Sequence, residues 1–123
     1  MRALVIDDND QILDVLSFLL ETNNVEFVTV NNGRDALELI YDKSNNDDNK
    51  FDLVFLDLAM PEMSGFEVVD DLHANRALDN TKLIVITALE LAPEDEKLLI
   101  EKGVKAVLKK PILIEDVEKL LES

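Results

Sequence analysis

Five short apolar runs recur along the chain. Each is followed by a polar cluster and then by apolar residues at helical spacing. Ala3 to Ile6 is the first run, closing on Asp7-Asp8-Asn9-Asp10, a strand-to-helix turn with capping residues. Ile12, Val15, Leu16, Leu19 and Leu20 share one helical face, so a helix is predicted from about Asp10 to Thr22, ended by Asn23-Asn24. Glu26 to Val30 is rich in β-branched and aromatic residues and reads as a second strand. Asn32-Gly33 turns the chain into a helix marked by Ala36, Leu37 and Ile40, fading near Lys43. Asp52 to Asp57 holds the run Leu53-Val54-Phe55-Leu56, apolar without alternation, as in a strand buried on both faces. Pro61 and Gly65 punctuate the loop after it, and Phe66, Val69 and Leu72 mark a helix reaching about Arg76. Leu83 to Ile86 is the fourth strand, followed by Thr87. Pro93-Glu94-Asp95-Glu96 opens a helix with Pro near its start and acids at the positive end of its dipole; it runs through Leu98, Leu99 and Ile100 to Gly103. Ala106 to Leu108 is the fifth strand, then Lys109-Lys110-Pro111, then a last stripe of Ile114, Val117, Leu120 and Leu121.

Strands alternating with helices predict a parallel sheet covered on both faces, in a single α/β domain spanning residues 1–123. The right-handed crossover rule leaves few ways to wind it. The polar run Ser44 to Asn49 reads as a surface loop without chemistry. Composition narrows the possible functions. There is no cysteine, so disulfides and thiolate metal sites are excluded. No apolar stretch is long enough for a membrane span, and the start is too short for a signal peptide, so a cytoplasmic protein is expected. With 27 acidic against 12 basic residues, a net charge of −15, a nucleic-acid surface is not expected. The acidity suits solubility, basic partner surfaces or divalent cations.

Open parallel sheets place ligands at the carboxyl ends of their strands. Those ends carry Asp7 and Asp8 after the first strand, Asp57 at the third, Thr87 at the fourth and Lys110 after the fifth. Each has an ordinary structural reading: helix caps for Asp7 and Asp8, a strand-end hydroxyl for Thr87, a solvated charge for Lys110 with Lys109 as its rival, a structural carboxylate for Asp57. Four such coincidences on one edge are far less probable than any one of them. His73 reads as a surface residue. Two carboxylates about 4 Å apart repel by roughly 4 kcal/mol at an effective dielectric near 20. A hard divalent cation with oxygen ligands, Mg²⁺, relieves that repulsion. Lys110 and Thr87 supply a cation and a hydroxyl for an anion beside the metal. The set reads as a phosphoryl-transfer site in which Asp57 attacks.

The segments Val5-Ile6-Asp7-Asp8, Leu56 to Gly65, Ile86-Thr87-Ala88 and Lys110-Pro111 resemble the receiver domain of two-component response regulators, of the CheY-like, stand-alone kind. The resemblance spans the whole chain. It implies a flavodoxin-like three-layer sandwich with five parallel strands in the order 2-1-3-4-5 and five helices. It implies that Asp57 accepts a phosphoryl group from a sensor histidine kinase or a phosphotransfer protein. Asp8, Asp57 and the backbone carbonyl of Ala59 are then expected to bind Mg²⁺ directly, and Asp7 through water. Thr87 and Lys110 are expected on the phosphoryl oxygens. A cis bond before Pro111, usual in the family, selects Lys110 over Lys109. The implied output is protein binding by the face of the fourth helix, fifth strand and fifth helix, by a monomer or a weak phosphorylation-dependent dimer. No effector domain is expected within the chain, although the receiver part of a longer regulator would look the same.

Three positions depart from the family pattern. Val107 stands at the usual aromatic switch position and cannot swing between rotamers as Tyr or Phe does, so coupling of Thr87 to the output face is expected through the loop from Ala88 to Ala92 or through backbone shifts. Ala59 and Leu89 stand where the family flanks the hydrolytic water, and neither can hydrogen-bond it, so slow self-dephosphorylation is expected. Ile112 follows Pro111 where Phe is frequent. Two other readings compete: an unphosphorylated docking module, which would need none of these site residues, and a Mg²⁺-dependent phosphatase, which would want a second Asp at the place of Ala59.

Overall fold

The fold is described from a computed structural model covering residues 1–42 and 50–122. The run Ser44 to Asn49 lies outside the described residues. The elements are β1 (Arg2–Ile6), α1 (Asp10–Thr22), β2 (Glu26–Val30), α2 (Gly33–Ile40), β3 (Leu53–Asp57), α3 (Gly65–Ala74), a 3₁₀ turn (Ala77–Asp79), β4 (Lys82–Thr87), α4 (Pro93–Glu101), β5 (Val104–Lys109) and α5 (Ile114–Glu122). All neighbouring strands pair in parallel, in the order β2-β1-β3-β4-β5. This is the expected three-layer α/β sandwich.

The central strands are apolar throughout because both of their faces are covered, and successive side chains point to opposite faces. Leu4, Ile6, Val54, Leu56, Leu83 and Val85 pack against Ala36 of α2, Val68, Val69 and Leu72 of α3, and Leu99 of α4. Ala3, Val5, Leu53, Phe55, Ile84 and Ile86 pack against Leu16, Leu19 and Leu20 of α1 and Val117 of α5. Ile112 also packs on this second cluster.

The helical stripes are narrower than their sequence spacing suggests. Val15 and Ile114 are 44% and 54% exposed, and Phe66 is 37% exposed while Val68 takes the inward place. A helix over a flat sheet buries one strip, and apolar residues flanking that strip face solvent. The β4–β5 register slips between Leu83 and Ile84, so β5 begins at Val104, earlier than the apolar run Ala106 to Leu108 indicates. The 3₁₀ turn after α3 has no signal in the apolar pattern. Gly103 follows the α4 cap residue Lys102 at φ +107, a left-handed conformation that suits glycine.

Candidate functional site

The ends of β1, β3, β4 and β5 and two backbone hydrogen bonds assemble the crevice. Asp7 lies directly beyond β1, and its N–H donates to Val30 O at 3.2 Å, which continues the β1–β2 ladder and keeps it inside. Its Oδ1 accepts from Asn9 N at 2.8 Å. Asn9, not Asp7 or Asp8, caps α1: its side chain accepts from Gln11 N at 2.9 Å and Ile12 N at 3.3 Å. The two aspartates are therefore not needed at the helix start. Asp57 ends β3, paired with Ile86 of β4, and is only 2% exposed. Lys110 follows β5, and its N–H donates to Thr87 O at 2.8 Å, which ties the ends of β4 and β5 together. The Lys110–Pro111 bond is cis.

Asp7 is fully buried, Asp57 nearly so, and Asp8 is exposed. One carboxylate oxygen from each lies within 4.8 Å of the others. The Lys110 ammonium stands 3.0 Å from Asp7 Oδ2 and 3.6 Å from Asp57 Oδ1. Asp57 Oδ1 also accepts from Ala59 N at 3.3 Å. Burial and the neighbouring Asp7 charge push the Asp57 carboxyl up from 3.8 to about 6. Lys110 and the Ala59 N–H pull it down, and Asp8 adds a smaller upward push. Asp7 Oδ2 is buried and takes no hydrogen bond of good geometry; Lys110 meets it as an ion at contact distance. Three close carboxylates, one with an orphaned buried oxygen, are the hard donor set a Mg²⁺-sized cation requires, so the residues present fit such an ion.

Thr87 is buried at the same edge, but its hydroxyl oxygen is engaged elsewhere, accepting from Leu89 N at 2.9 Å. Thus Asp7, Asp8, Asp57 and Lys110 are gathered into one cluster, with Ala59 on the adjoining loop and Thr87 beside it, turned to the β4–α4 loop. Lys109 points outward to an ion pair with Glu90, leaving Lys110 as the crevice lysine.

Gly65 matters more than its sequence role as a loop punctuator suggests. A Cβ there would lie 2.5 Å from Leu58 Cα and closer still to the Asp57 carbonyl oxygen, so the start of α3 rests directly on the backbone of the site. Gly65 N also donates to Leu58 O at 2.9 Å. In the same loop Glu62 holds φ +67, an unfavourable value for a side chain with Cβ. Glu62→Gly is expected to raise stability by about 0.5–1 kcal/mol, the relieved left-handed strain outweighing glycine's extra chain entropy. Urea unfolding would check this; an unchanged or lowered midpoint contradicts it.

Residues 3–122 match the family model described as the response regulator receiver domain. The chain is 30% identical over 124 residues to hybrid signal transduction histidine kinase L of Dictyostelium discoideum, aligning 98% of its own length but only 7% of that protein. It is 27% identical over 112 residues to the polar-differentiation response regulator DivK of Brucella anthropi, covering 91% of this chain and 85% of DivK. Among solved structures, the response regulator TrrA of Thermotoga maritima in complex with Mg²⁺ and BeF superposes with a TM-score of 0.78. It is 28% identical, with 98% of this chain and 96% of TrrA covered.

Proposed function

The chain belongs to the response regulator receiver domain family and is a phosphorylation-dependent switch of the two-component kind, and from that premise we propose that Asp57 is its phosphoacceptor. The observation that carries this reading is the Asp7–Asp8–Asp57 carboxylate cluster with the Lys110 ammonium inside it. A docking module that is never phosphorylated has no use for an Asp57 buried at an energetic cost.

Asp7, Asp8, Asp57 and the Ala59 carbonyl would hold Mg²⁺ in this crevice. When bound, it neutralises charge on the carboxylates and on the phosphoryl oxygens. The TrrA complex with Mg²⁺ and BeF supports this pair of ligand classes for the crevice. An Asp57 carboxylate oxygen attacks the phosphorus of a phosphohistidine, the P–N bond breaks, and the product is an aspartyl phosphate. Its donor is a sensor histidine kinase or a phosphotransfer protein. The Asp57 carboxylate must be ionised to attack, and its burial and the Asp7 charge hold its pKa at about 6 in the metal-free crevice. Lys110 holds charge on one phosphoryl oxygen. The Thr87 hydroxyl turns to donate to another, and the moving oxygen carries with it the Leu89 N–H that it accepts from. The loop from Ala88 to Ala92 therefore moves, and with it α4 and β5, whose face binds a downstream protein. Val107, half-buried against the α4-side cluster, transmits this through backbone shifts. We place the switch in the cytoplasm, as an acceptor that catalyses its own phosphorylation and dephosphorylation and is not a turnover enzyme. No helix of the described residues is long and apolar enough to cross a membrane.

The reading is tested by following backbone amide resonances on adding Mg²⁺ and then beryllium fluoride. Shifts are expected at Asp8, Asp57, Ala59, Thr87, Leu89 and Lys110. A folded protein whose resonances at these positions ignore both additions contradicts it. A second expectation concerns lifetime. Neither Ala59 nor Leu89 offers a side-chain polar group to a hydrolytic water, so the Ala59→Asn, Leu89→Glu double variant should lose its aspartyl phosphate at least about tenfold faster than wild type, given what positioned polar groups contribute. Decay of the phosphorylated species followed by mass would show it; equal or slower decay in the variant refutes it.

A further inference from the structure

We propose that the amino-terminal edge of the sheet, opposite the phosphoryl crevice, holds a second ligand site between the ends of α2 and α3, which takes a small aromatic monocarboxylate on Arg76.

A cavity of about 250 Å³ opens there. Its floor is the core itself: Phe51, Val54 and Leu72 line it, each at most 5% exposed, together with the half-buried Leu78. Its rim is exposed and polar. The chain carries 27 acidic residues against 12 basic, yet among the described residues no carboxylate lines this cavity, and two cations, Lys50 and Arg76, do. The carboxylates close by in sequence are engaged. Asp71 accepts from the Tyr41 hydroxyl and the Asn75 amide, and Asp79 meets Arg76 Nε at 3.2 Å. Charge complementarity therefore selects an anion for the rim and an apolar body for the floor.

Arg76 is an unusual residue for its place. It follows Asn75, the cap residue of α3, at φ +56, in the left-handed region that a residue with Cβ enters at a cost. Glycine or asparagine is the ordinary choice there, and this chain uses Asn24 after α1 and Gly103 after α4. Packing does not explain an arginine, because its side chain is 83% exposed. The exposed pair with Asp79 is worth little. Strained residues of this kind cluster at ligand sites. With Nε on Asp79, the two terminal nitrogens present an end-on fork that holds a carboxylate through two hydrogen bonds. The body of the ligand follows from size and lining. An apolar cavity of about 150 Å³ is enough for benzene, so this one holds a single ring with a short acid arm. The one tyrosine of the chain, Tyr41, and one of its five phenylalanines, Phe51, both line it and offer ring faces or edges to that ring.

The test is amide NMR of the whole chain titrated with phenylacetate, with phenylacetamide as the uncharged control, in wild type, Arg76→Gly and Arg76→Lys. Wild type should show saturable shifts at Phe51, Leu72, Asn75, Arg76 and Leu78, with a Kd of about 1 mM or tighter. Phenylacetamide should bind at least about tenfold more weakly. Arg76→Gly should lose about tenfold or more in affinity for phenylacetate while melting no lower than wild type, because glycine adopts the left-handed conformation without strain. Lost recognition is thereby separated from lost fold. Should Arg76→Gly melt lower, Arg76→Lys decides: it keeps the charge without the fork, and should bind at least about threefold more weakly than wild type. Shifts that do not saturate or that fall outside the cavity, equal binding of phenylacetamide, or wild-type affinity in Arg76→Gly or Arg76→Lys overturns the inference.

Discussion

Asp57→Asn is expected to stabilise the metal-free protein at pH 8 by up to about 3 kcal/mol while abolishing its capacity to accept a phosphoryl group. The stability part follows from the carboxyl's shift from 3.8 to about 6, caused first by burial and then by Asp7. The folded state holds a proton on Asp57 at pH values where the unfolded chain has released it, so stability declines as pH rises from about 4 to about 6. Above that window the whole cost is present, and roughly two pH units correspond to about 3 kcal/mol. Asparagine carries no charge to bury, so its advantage is full above about pH 6 and vanishes below about pH 4. Saturating Mg²⁺ should reverse the order, because it stabilises the wild-type carboxylate cluster more than the variant. Urea unfolding across pH 3.5 to 8, with and without Mg²⁺, would reveal this. A variant less stable than wild type at pH 8 without metal, or an advantage that persists at pH 3.5, contradicts it.

Gly65→Ala is expected to cost about 3 kcal/mol or more, and to damage the site beyond that loss. The added Cβ meets Leu58 Cα at 2.5 Å and the Asp57 backbone carbonyl. Both are main-chain atoms of a buried strand end, so no side chain can rotate to make room. Overpacking of this kind sits at the top of its usual range because only a backbone shift relieves it. The shift must lift the start of α3 or push the end of β3, and the second moves Asp57 relative to Asp7 and Lys110. Misplacement by about 1 Å at a reacting carboxylate costs on the order of a hundredfold in rate. Denaturant unfolding and the rate of phosphoryl uptake measured at a temperature where the variant is folded would check both parts. A loss under about 1 kcal/mol, or an unchanged uptake rate, refutes the close approach as the reason for glycine here.

The legible part of the fold was that governed by period. Leu53 to Leu56 is apolar at each position because both faces of β3 are covered, and that alone identified the strand bearing Asp57. The helices over the sheet were harder. Val15, Phe66 and Ile114 lie at helical spacing yet face solvent, since spacing cannot say which flank of a stripe the sheet covers. The start of β5 was hidden because its early residues, Val104-Lys105, lie on a half-exposed edge strand across a register slip. Within the site, strand ends pointed to Asp7, Asp8, Asp57, Thr87 and Lys110, and sheet topology brings them to one edge. What no pattern could convey was close contact. The orphaned Asp7 oxygen, the Thr87 hydroxyl turned to Leu89, the Lys109–Glu90 pair and the seating of Gly65 all depend on distances across separate segments.

The most direct test is to incubate the protein with acetyl phosphate and Mg²⁺ and weigh it intact, beside Asp57→Asn and a chelator control. One phosphoryl increment on wild type, absent from the variant and from the chelated sample, is the predicted result. A folded wild-type protein that binds Mg²⁺ but gains no mass, or an increment that survives Asp57→Asn, would contradict the assignment of Asp57 as the phosphoacceptor.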